Sequence, residues 1–415
     1  MKPVVVVGGG VIGLTVAHAL HRRHVPVTVV DAGPPARAAS HGNAGWITPA
    51  LSGPVPAPGL VGTSLRWMLK PDSPLYVQPR ADLGFLRWLL AFWRHCNARA
   101  YGDGFAATAA LNAPTMALFD ALRADGVRFE EHRQGLAVVY HSRRELEHDY
   151  AGLDALAAHG SPTPPLLDGD ALRESEPLLN DAIAGGYCFD QERSVRPDSL
   201  VTGLTTWLRN AGVGVRAATA VTAIEHRHGQ VSAVVTEAGS IAADAVIVCA
   251  GAWTPAVMRL AGVRVPIEAG KGYSLDVASP PAPKPNRPLY LHEARVAVTP
   301  LDGTVRLAGT MEISGLHDRI NPKRVAAMQR AAEATLWGWP HDTTTATVWT
   351  GSRPMTPDGL PAIGRAPGFR NLLLASGHAM LGVTLAPATA AALADLYVSG
   401  HPPDVLQPFD PARFG

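Results

Sequence analysis

Three glycines near the N-terminus have the spacing that contact with a dinucleotide requires. Gly8, Gly10 and Gly13 directly follow the apolar run Val4–Val7 and open a segment whose apolar residues recur at helical spacing. The first glycine permits a tight turn, the second lets the backbone approach a pyrophosphate, and the third lets the helix pack on the strand. The free N–H groups and partial positive charge of the helix N-terminus suit phosphates. The motif therefore predicts a strand, a phosphate-binding turn and a helix.

An acidic residue ends the next apolar run. Asp31 follows Pro26–Val30, where a carboxylate accepts hydrogen bonds from ribose hydroxyls and repels a 2′-phosphate. A glycine-rich turn without a ligand is the alternative, but the strand, the helix and the acid together favour a bound adenine dinucleotide.

Later segments distinguish FAD from NAD. Gly214–Val221 reads as a third strand, Thr222–Ile241 as a meander, and Ala245–Trp253 as a strand ending in the small-residue turn Ala250-Gly251. This order is typical of FAD-binding oxidoreductases with two dinucleotide folds. The sequence has no second glycine motif for a separate NAD(P)H domain, so we expect the substrate to reduce the flavin directly.

Composition narrows the class of protein. The chain has 415 residues, 47% hydrophobic and 17% charged, with a formal net charge of +1. It can bury a large core, and it lacks the basic excess of a nucleic-acid binder. Three distant cysteines form no disulfide framework or metal motif, so we expect no metal and a reducing, cytoplasmic compartment. We expect no signal peptide and no transmembrane segment.

The apolar stretch Leu83–Arg94 is interrupted by Arg87 and is too short to span a bilayer. It has two interpretations. It is a helix packed on the rest of the protein, or a peripheral membrane-facing helix that presents aromatic side chains at the inner face of the membrane. The aromatic residues in question are Trp67, Trp88, Phe92 and Trp93.

Four further motifs occur in a fixed order: Ser40-x-x-Asn43-Ala44-Gly45, Lys271-Gly272-Tyr273-Ser274, Trp349-Thr350-Gly351-x-Arg353-Pro354-Met355-Thr356-Pro357-Asp358-Gly359, and Gly377-His378-x-x-x-Gly382-x-Thr384. With them the chain resembles FAD-dependent D-amino-acid dehydrogenases, within the glycine oxidase, sarcosine oxidase and D-amino-acid oxidase superfamily. The resemblance covers nearly the whole chain.

This resemblance implies an α/β fold of glycine-oxidase type. We expect a Rossmann-like FAD-binding domain from residues 1–60, 194–262 and 343–415. A discontinuous α+β substrate domain with an antiparallel sheet takes 61–193 and 263–342.

Within the substrate domain we predict strands at Gly135–Tyr140, Leu289–Thr299 and Val305–Ile313. A hairpin turn at Leu301–Thr304 joins the last two. The segment Pro280–Pro285 is expected to form a stiff external loop.

The resemblance also assigns a role to one arginine. In the family, an arginine at the position of Arg353 holds the substrate carboxylate, for which a planar guanidinium is suited. The alternative is an ion pair within its loop. Tyr273 and His292 are further catalytic candidates, although Tyr273 reads equally as a core aromatic.

The expected cofactor contacts include the loop after the second strand and the start of a helix at Leu385–Val398, which Gly400 ends. Asn43 has the alternative of a turn residue, and His378 that of a general base. Residues 350–358 contain no cysteine, so we expect non-covalent FAD. The expected contacts are Gly8, Gly10, Val11, Ile12, Gly13, Asp31, Ala32, Ser40, Asn43, Ala44, Gly45, Val221, Ala250, Gly251, Arg353, Gly377, His378, Gly382 and Thr384.

The resemblance implies oxidative deamination of a D-amino acid by hydride transfer from Cα to flavin N5. The imine product then hydrolyses to a 2-oxo acid and ammonia. The electrons pass to a quinone or a partner protein. Two alternatives stay open: an oxygen-using oxidase of proline-type or N-substituted amino acids, which segment 190–197 favours, and a tailoring enzyme or flavoprotein subunit of a larger complex.

Overall fold

The computed structural model describes residues 2–34, 37–60, 62, 74–154, 162–278, 284–341 and 346–415. Trp67 and residues 280–283 of the proline-rich segment lie outside these ranges. The helices are α1 (Val11–His21), α2 (Leu83–His95), α3 (Ala98–Asn112), α4 (Thr115–Ala124), α5 (Arg143–Tyr150), α6 (Gly169–Ser175), α7 (Pro197–Asn210), α8 (Thr254–Arg259), α9 (Pro322–Thr335) and α10 (Gly382–Ser399).

The strands are β1 (Val4–Val7), β2 (Val27–Val30), β3 (Trp46–Ile47), β4 (Leu75–Val77), β5 (Glu131–His132), β6 (Leu136–Tyr140), β7 (Leu167–Asp168), β8 (Gly185–Phe189), β9 (Arg193–Val195), β10 (Gly214–Arg216), β11 (Val221–Arg227), β12 (Gln230–Thr236), β13 (Gly239–Ala242), β14 (Ala245–Val248), β15 (Glu268–Val277), β16 (Leu289–Leu291), β17 (Val296–Leu301), β18 (Thr304–Ile313), β19 (Thr347–Met355), β20 (Ala362–Arg365) and β21 (Leu372–Ser376).

The first large sheet has the strand order β10-β2-β1-β14-β21-β20 and contains the predicted dinucleotide-binding unit. β1 consists of four buried valines and runs parallel to β2 and β14. Branched side chains favour a strand that is covered on both faces. The predicted strand before the glycine motif, the one before Asp31 and the one at 245–248 are therefore confirmed. The third predicted strand is shorter, because β10 ends at Arg216 and Val221 already begins the meander β11–β13.

Helices α1, α7 and α10 bury their apolar faces in the core on this sheet. Leu111 of α3 and Phe119 of α4 belong to the same core. These two helices lie in the segment 61–193 that we assigned to the substrate domain, yet their apolar side chains are buried on the dinucleotide-binding side.

The second large sheet has the order β19-β15-β18-β17-β16-β6-β8-β7, with β4 paired to β18. It is antiparallel apart from the pairs β16–β6 and β18–β4. The predicted hairpin between β17 and β18 is confirmed. The predicted strand Leu289–Thr299 is wrong as a single element, because residues 292–295 form a turn between β16 and β17. β19 lies in the segment 343–415 that we assigned to the FAD-binding domain. It nevertheless pairs with β15 and so belongs to the second large sheet.

α10 begins at Gly382, three residues earlier than expected, and Gly400 caps its end. By length and composition this helix is apolar enough to cross a membrane, but 67% of it is buried inside the protein. Such burial is that of a core helix. Its N-terminus lies where the two large sheets meet, since Leu381, Gly382 and Val383 line the cavity described below.

Candidate functional site

A cavity of about 2130 Å³ is lined by residues of both large sheets. Pockets for a single small molecule measure roughly 300–1,000 Å³. This cavity therefore has room for a dinucleotide and a substrate together. The predicted site residues that line it are Gly8, Gly10, Val11, Ile12, Asp31, Ala32, Ser40, Asn43, Ala44, Gly45, Val221, Ala250, Gly251, Tyr273, His292, Arg353, His378 and Gly382. Gly13, Gly377 and Thr384 lie behind this lining.

The glycine motif has the close backbone approaches that were predicted. Gly8 has a φ of +120°, and a Cβ there would lie 2.3 Å from the carbonyl oxygen of Cys249. A Cβ on Gly13 would lie 1.9 Å from the carbonyl oxygen of Gly8. Side chains at either position would push β1, β14 and α1 apart. Gly13 thus acts through packing.

The N-terminus of α1 opens onto the cavity. Gly10 is its N-cap, in extended conformation, and has no side chain of its own to cap the helix. The backbone N–H of Val11 donates to Ser40 Oγ at 3.0 Å. The other N–H groups of a helix's first turn have no partner within the helix, and together with the helix dipole they suit an anion.

Asp31 lies at the carboxyl end of β2, beside the glycine turn. Its Oδ2 accepts the backbone N–H of Gly9 at 2.5 Å, and its Oδ1 accepts that of Gly33 at 2.8 Å. These bonds fix the carboxylate, and each oxygen keeps a second lone pair for a ligand hydroxyl. The position fits the predicted ribose contact.

The loop after β2 is held by its own polar groups. Asn43 Oδ1 accepts the N–H of Gly45 at 2.8 Å, and Asn43 Nδ2 donates to the carbonyl of Ala39 at 2.9 Å. Arg306, paired with Asp276 on the second sheet, donates to the Asn43 carbonyl at 3.0 Å. The side chain of Asn43 is therefore used inside its loop, as expected of a turn residue, but its φ is not positive, so the left-handed conformation that this alternative included is not adopted. Its contact with a cofactor stays a prediction.

Arg353 is surrounded by protein, yet part of its side chain lines the cavity. Its Nη1 donates to the carbonyl oxygen of Thr310 at 2.9 Å. The guanidinium lies over Gly272, where a Cβ would come within 2.2 Å of Nη1. Burial lowers the pKa of Arg353 to about 10, so the group stays charged at neutral pH. Within the described part of the chain no carboxylate pairs with this arginine.

Thr310 is a site residue that the sequence reasoning missed. Lys271 is opposite Glu312 and Tyr273 is opposite Gly309, so Thr310 and Met311 bulge opposite Gly272. Thr310 has a φ of +65°, which is rare for a β-branched residue. The bulge turns its carbonyl to Arg353. Nothing local in the sequence indicates this, because threonine normally favours a regular strand.

The other two catalytic candidates lie at different places. Tyr273 packs in the core beneath α9, and its hydroxyl donates to Glu312 at 2.8 Å. Glu312 also pairs with Lys271 at 3.0 Å. His292 lies at the end of β16, with Nε2 2.7 Å from Asp149 Oδ2. Arg353 and these two residues do not contact one another. Their roles toward a substrate stay predictions.

The segment before α10 crosses close to Arg353, since His378 forms a β-bridge with Met355. His378 Nε2 lies 3.1 Å from Thr389 Oγ1, and its buried Nδ1 has no partner among the described residues. Burial lowers the pKa of His378 to about 3, so the imidazole is neutral. Thr384 Oγ1 donates to the carbonyl of Trp46 at 3.1 Å, which explains why its hydroxyl lies behind the cavity wall.

Comparison with known proteins decides the family. The family model described as FAD dependent oxidoreductase (DAO) matches residues 3–396. The chain belongs to this family. FAD is therefore its cofactor, and the N-terminus of α1, the glycine cradle and the Asp31 carboxylate fit the pyrophosphate and the ribose.

Relatives of this FAD-dependent oxidoreductase cover almost the whole chain. A D-amino acid dehydrogenase of Cereibacter sphaeroides is 35% identical over 97% of this chain and 93% of its own length. The fold is shared with glycine oxidase from Geobacillus kaustophilus, with a TM-score of 0.76 at 23% identity over 98% and 97% of the two chains. It is also shared with L-proline dehydrogenase from P. horikoshii, with a TM-score of 0.72 at 19% identity over 100% and 97%.

Proposed function

We propose that this FAD-dependent oxidoreductase catalyses the oxidative deamination of a D-amino acid. The substrate's Cα–N unit loses two electrons and two protons to give an imino acid. Water then converts the imino acid to a 2-oxo acid and ammonia. The 35% identity to a D-amino acid dehydrogenase supports the substrate class, and Arg353 supports it from the structure.

The observation that carries this proposal is a partly buried cation without an acidic partner in the described chain. Arg353 uses one N–H on the Thr310 carbonyl, and the rest of its fork borders the cavity. A guanidinium in a dehydrated site binds a carboxylate through two parallel, charge-assisted hydrogen bonds. The α-carboxylate of an amino acid is the ligand that completes this arrangement.

The residues of the chain act by holding the substrate in place. Arg353 fixes the carboxylate, and the walls of the cavity exclude water from the Cα–H bond. FAD, when bound, supplies the acceptor for the two electrons. His378, which bridges to Met355 near Arg353, is neutral and adds no charge to this part of the lining.

Replacement of Arg353 tests the proposal. Removing one partner of a buried charged pair costs about 3–5 kcal/mol, or roughly a hundred- to several-thousand-fold in kcat/KM. We expect this loss for Arg353→Ala, a smaller loss for Arg353→Lys, and unchanged FAD content in both. Amines without a carboxylate serve as the control and should be turned over equally by all three proteins. Wild-type kcat/KM in Arg353→Ala would show that the carboxylate is held elsewhere.

A screen by anaerobic flavin bleaching assigns the substrate. D-amino acids should bleach the flavin faster than their L-enantiomers. Faster bleaching by L-proline or N-methyl amino acids would instead support the second candidate, for which the fold shared with L-proline dehydrogenase is the supporting observation. Peroxide release in air, compared with dye reduction under anaerobic conditions, separates an oxidase from a dehydrogenase.

We further propose that the electrons leave to a lipophilic acceptor, such as a quinone, at the inner face of the membrane. One face of α2 packs against the rest of the protein, where Phe85 and Trp88 are buried. Trp88 and Phe92 also line the cavity. The opposite face presents apolar side chains at helical spacing, flanked by exposed arginines, which suits an interfacial helix. Its residues, with their exposed fractions, are Leu83 (74%), Leu86 (50%), Leu90 (45%) and Trp93 (58%).

Vesicle flotation tests this surface. The holoenzyme should float with anionic phospholipid vesicles, and Leu86→Glu and Leu90→Glu should abolish flotation while dye reduction persists. Trp337→Glu is the matched control, because Trp337 is 54% exposed at a distant position in the sequence. Equal flotation of all variants, or none by the wild type, would contradict the proposal.

A further inference from the structure

A second group of polar residues lines the cavity on the side of β16 and β6. Arg295 and His292 lie in the turn between β16 and β17, and Tyr290 lies on β16. Asp149 of α5 and Tyr140 of β6 adjoin them. All five residues line the cavity. This group, termed here the distal cluster, has no part in the function proposed above.

The strand register places Arg295 beside Thr310, whose carbonyl accepts Arg353 Nη1. Val296 is opposite both Leu291 and Gly309, so Arg295 and Thr310 occupy the next row across the sheet. A Cβ on Gly309 would lie 3.1 Å from the carbonyl oxygen of Arg295. Neighbouring strands are about 4.8 Å apart. Arg295 is therefore about one strand spacing from the residue whose carbonyl binds Arg353.

The cation and the carboxylate of the distal cluster, Arg295 and Asp149, are near enough to interact electrostatically but form no ion pair with each other. Asp149 Oδ2 lies 2.7 Å from His292 Nε2 and accepts a hydrogen bond from the hydroxyl of Tyr140 at 3.3 Å. Arg295 has a neutral partner, the hydroxyl of Tyr290, at the long distance of 3.4 Å. Its side chain is exposed toward the cavity. The guanidinium thus keeps most of its five N–H donors for a ligand.

The conformation of Arg295 agrees with a functional role. Its φ is +54°, a left-handed conformation that residues other than glycine and asparagine rarely adopt. Such strain persists where the surrounding structure enforces it and is common at ligand sites. Here it occurs at the position that sends a cationic side chain into the cavity.

From these observations we propose that Arg295 binds a carboxylate at the end of the substrate's side chain. The preferred substrates are then acidic D-amino acids, such as D-glutamate or D-aspartate. Arg353 holds the α-carboxylate and Arg295 the distal one, both from the lining of the same cavity. Tyr290 supports the guanidinium, and Asp149 contacts His292 rather than forming an ion pair with Arg295. This inference rests on the proposed function and specifies its substrate.

The test compares substrates that differ in charge and little in shape. For the holoenzyme, kcat/KM for D-glutamate should exceed that for D-glutamine by about tenfold or more, the worth of a charge-assisted hydrogen bond. Arg295→Asn, which tolerates a positive φ, should reduce this ratio to near one, and Arg295→Lys should restore part of it. Arg144→Gln is the matched control, because Arg144 is an exposed arginine on α5.

The possible outcomes separate the inference from the function on which it rests. If no amino acid bleaches the flavin, the proposed function fails. If D-alanine and D-glutamine are good substrates and Arg295→Asn leaves the glutamate-to-glutamine ratio unchanged, the inference is wrong and the function stands. A preference for D-lysine that Asp149→Asn abolishes would likewise overturn it, because the cluster would then recognise a cation. Should Arg295→Asn fail to fold, the glutamate-to-glutamine ratio is measured for Arg295→Lys instead. A ratio equal to that of the wild type would then overturn the inference.

Discussion

The contact between Gly272 and Arg353 allows the arginine to be moved without being replaced. A Cβ at position 272 would lie 2.2 Å from Nη1, 2.4 Å from Nη2 and 2.5 Å from Cζ of Arg353. The backbone of Gly272 is not in the left-handed region, so alanine fits the strand. Because the colliding atoms end a flexible side chain, Gly272→Ala should fold and shift the guanidinium.

The size of the shift follows from the same distances. Increasing the closest contact from 2.2 Å to an ordinary 3.4 Å displaces the guanidinium by about 1.2 Å. The displacement lengthens its 2.9 Å hydrogen bond to the Thr310 carbonyl. A misplacement of about 1 Å in a positioning contact costs on the order of a hundredfold in rate. We therefore expect kcat/KM to fall about a hundredfold, equivalent to about 2.7 kcal/mol.

Stopped-flow flavin reduction over a range of D-amino acid concentrations measures the effect. The matched control is Gly102→Ala, because Gly102 also lines the cavity but a methyl group there would have nothing within 4 Å. This helical replacement should leave reduction unchanged and raise stability by about 0.5–1 kcal/mol. FAD content should be normal in both variants. If Gly272→Ala reduced its flavin as fast as Gly102→Ala, the placement of Arg353 as the carboxylate ligand would be refuted.

Three further outcomes follow from the structure. Asp31→Ala should purify with less FAD, measured per protein by absorbance, because the residue both orders the glycine turn and offers lone pairs to the ribose; a full complement of FAD would contradict this. Acid precipitation should release FAD into the supernatant, and flavin in the pellet would indicate a covalent bond. Burial raises the pKa of Glu192 to about 8, although the Ala50 N–H donates to it at 3.1 Å. The folded protein thus keeps a proton that the unfolded chain loses above about pH 4.3. The free energy of unfolding should therefore fall as the pH rises from about 4.3 to 8. In denaturant titrations at pH 9, Glu192→Gln should be a few kcal/mol more stable than the wild type.

Local patterns were sufficient for the dinucleotide-binding unit. The valines of β1, the glycines and Asp31 lie within one short stretch of chain, and the bonds of Asp31 to Gly9 and Gly33 and the packing of Gly13 on Gly8 form inside that stretch. The same holds for the hairpin between β17 and β18 and for the end of α10 at Gly400. In these places the sequence alone predicts the structure, because the interactions that decide it are local.

Tertiary structure alone decided how the substrate side of the cavity is built. Thr310 and Arg353 meet because a bulge in β18 lies opposite Gly272, and strand pairing brings Arg295 beside Thr310. Asp149 reaches His292 from a helix far away in the chain. No periodicity or motif encodes these contacts, since a strand register and a bulge depend on partners distant in sequence. Charge placement at the site is thus a property of the assembled sheet.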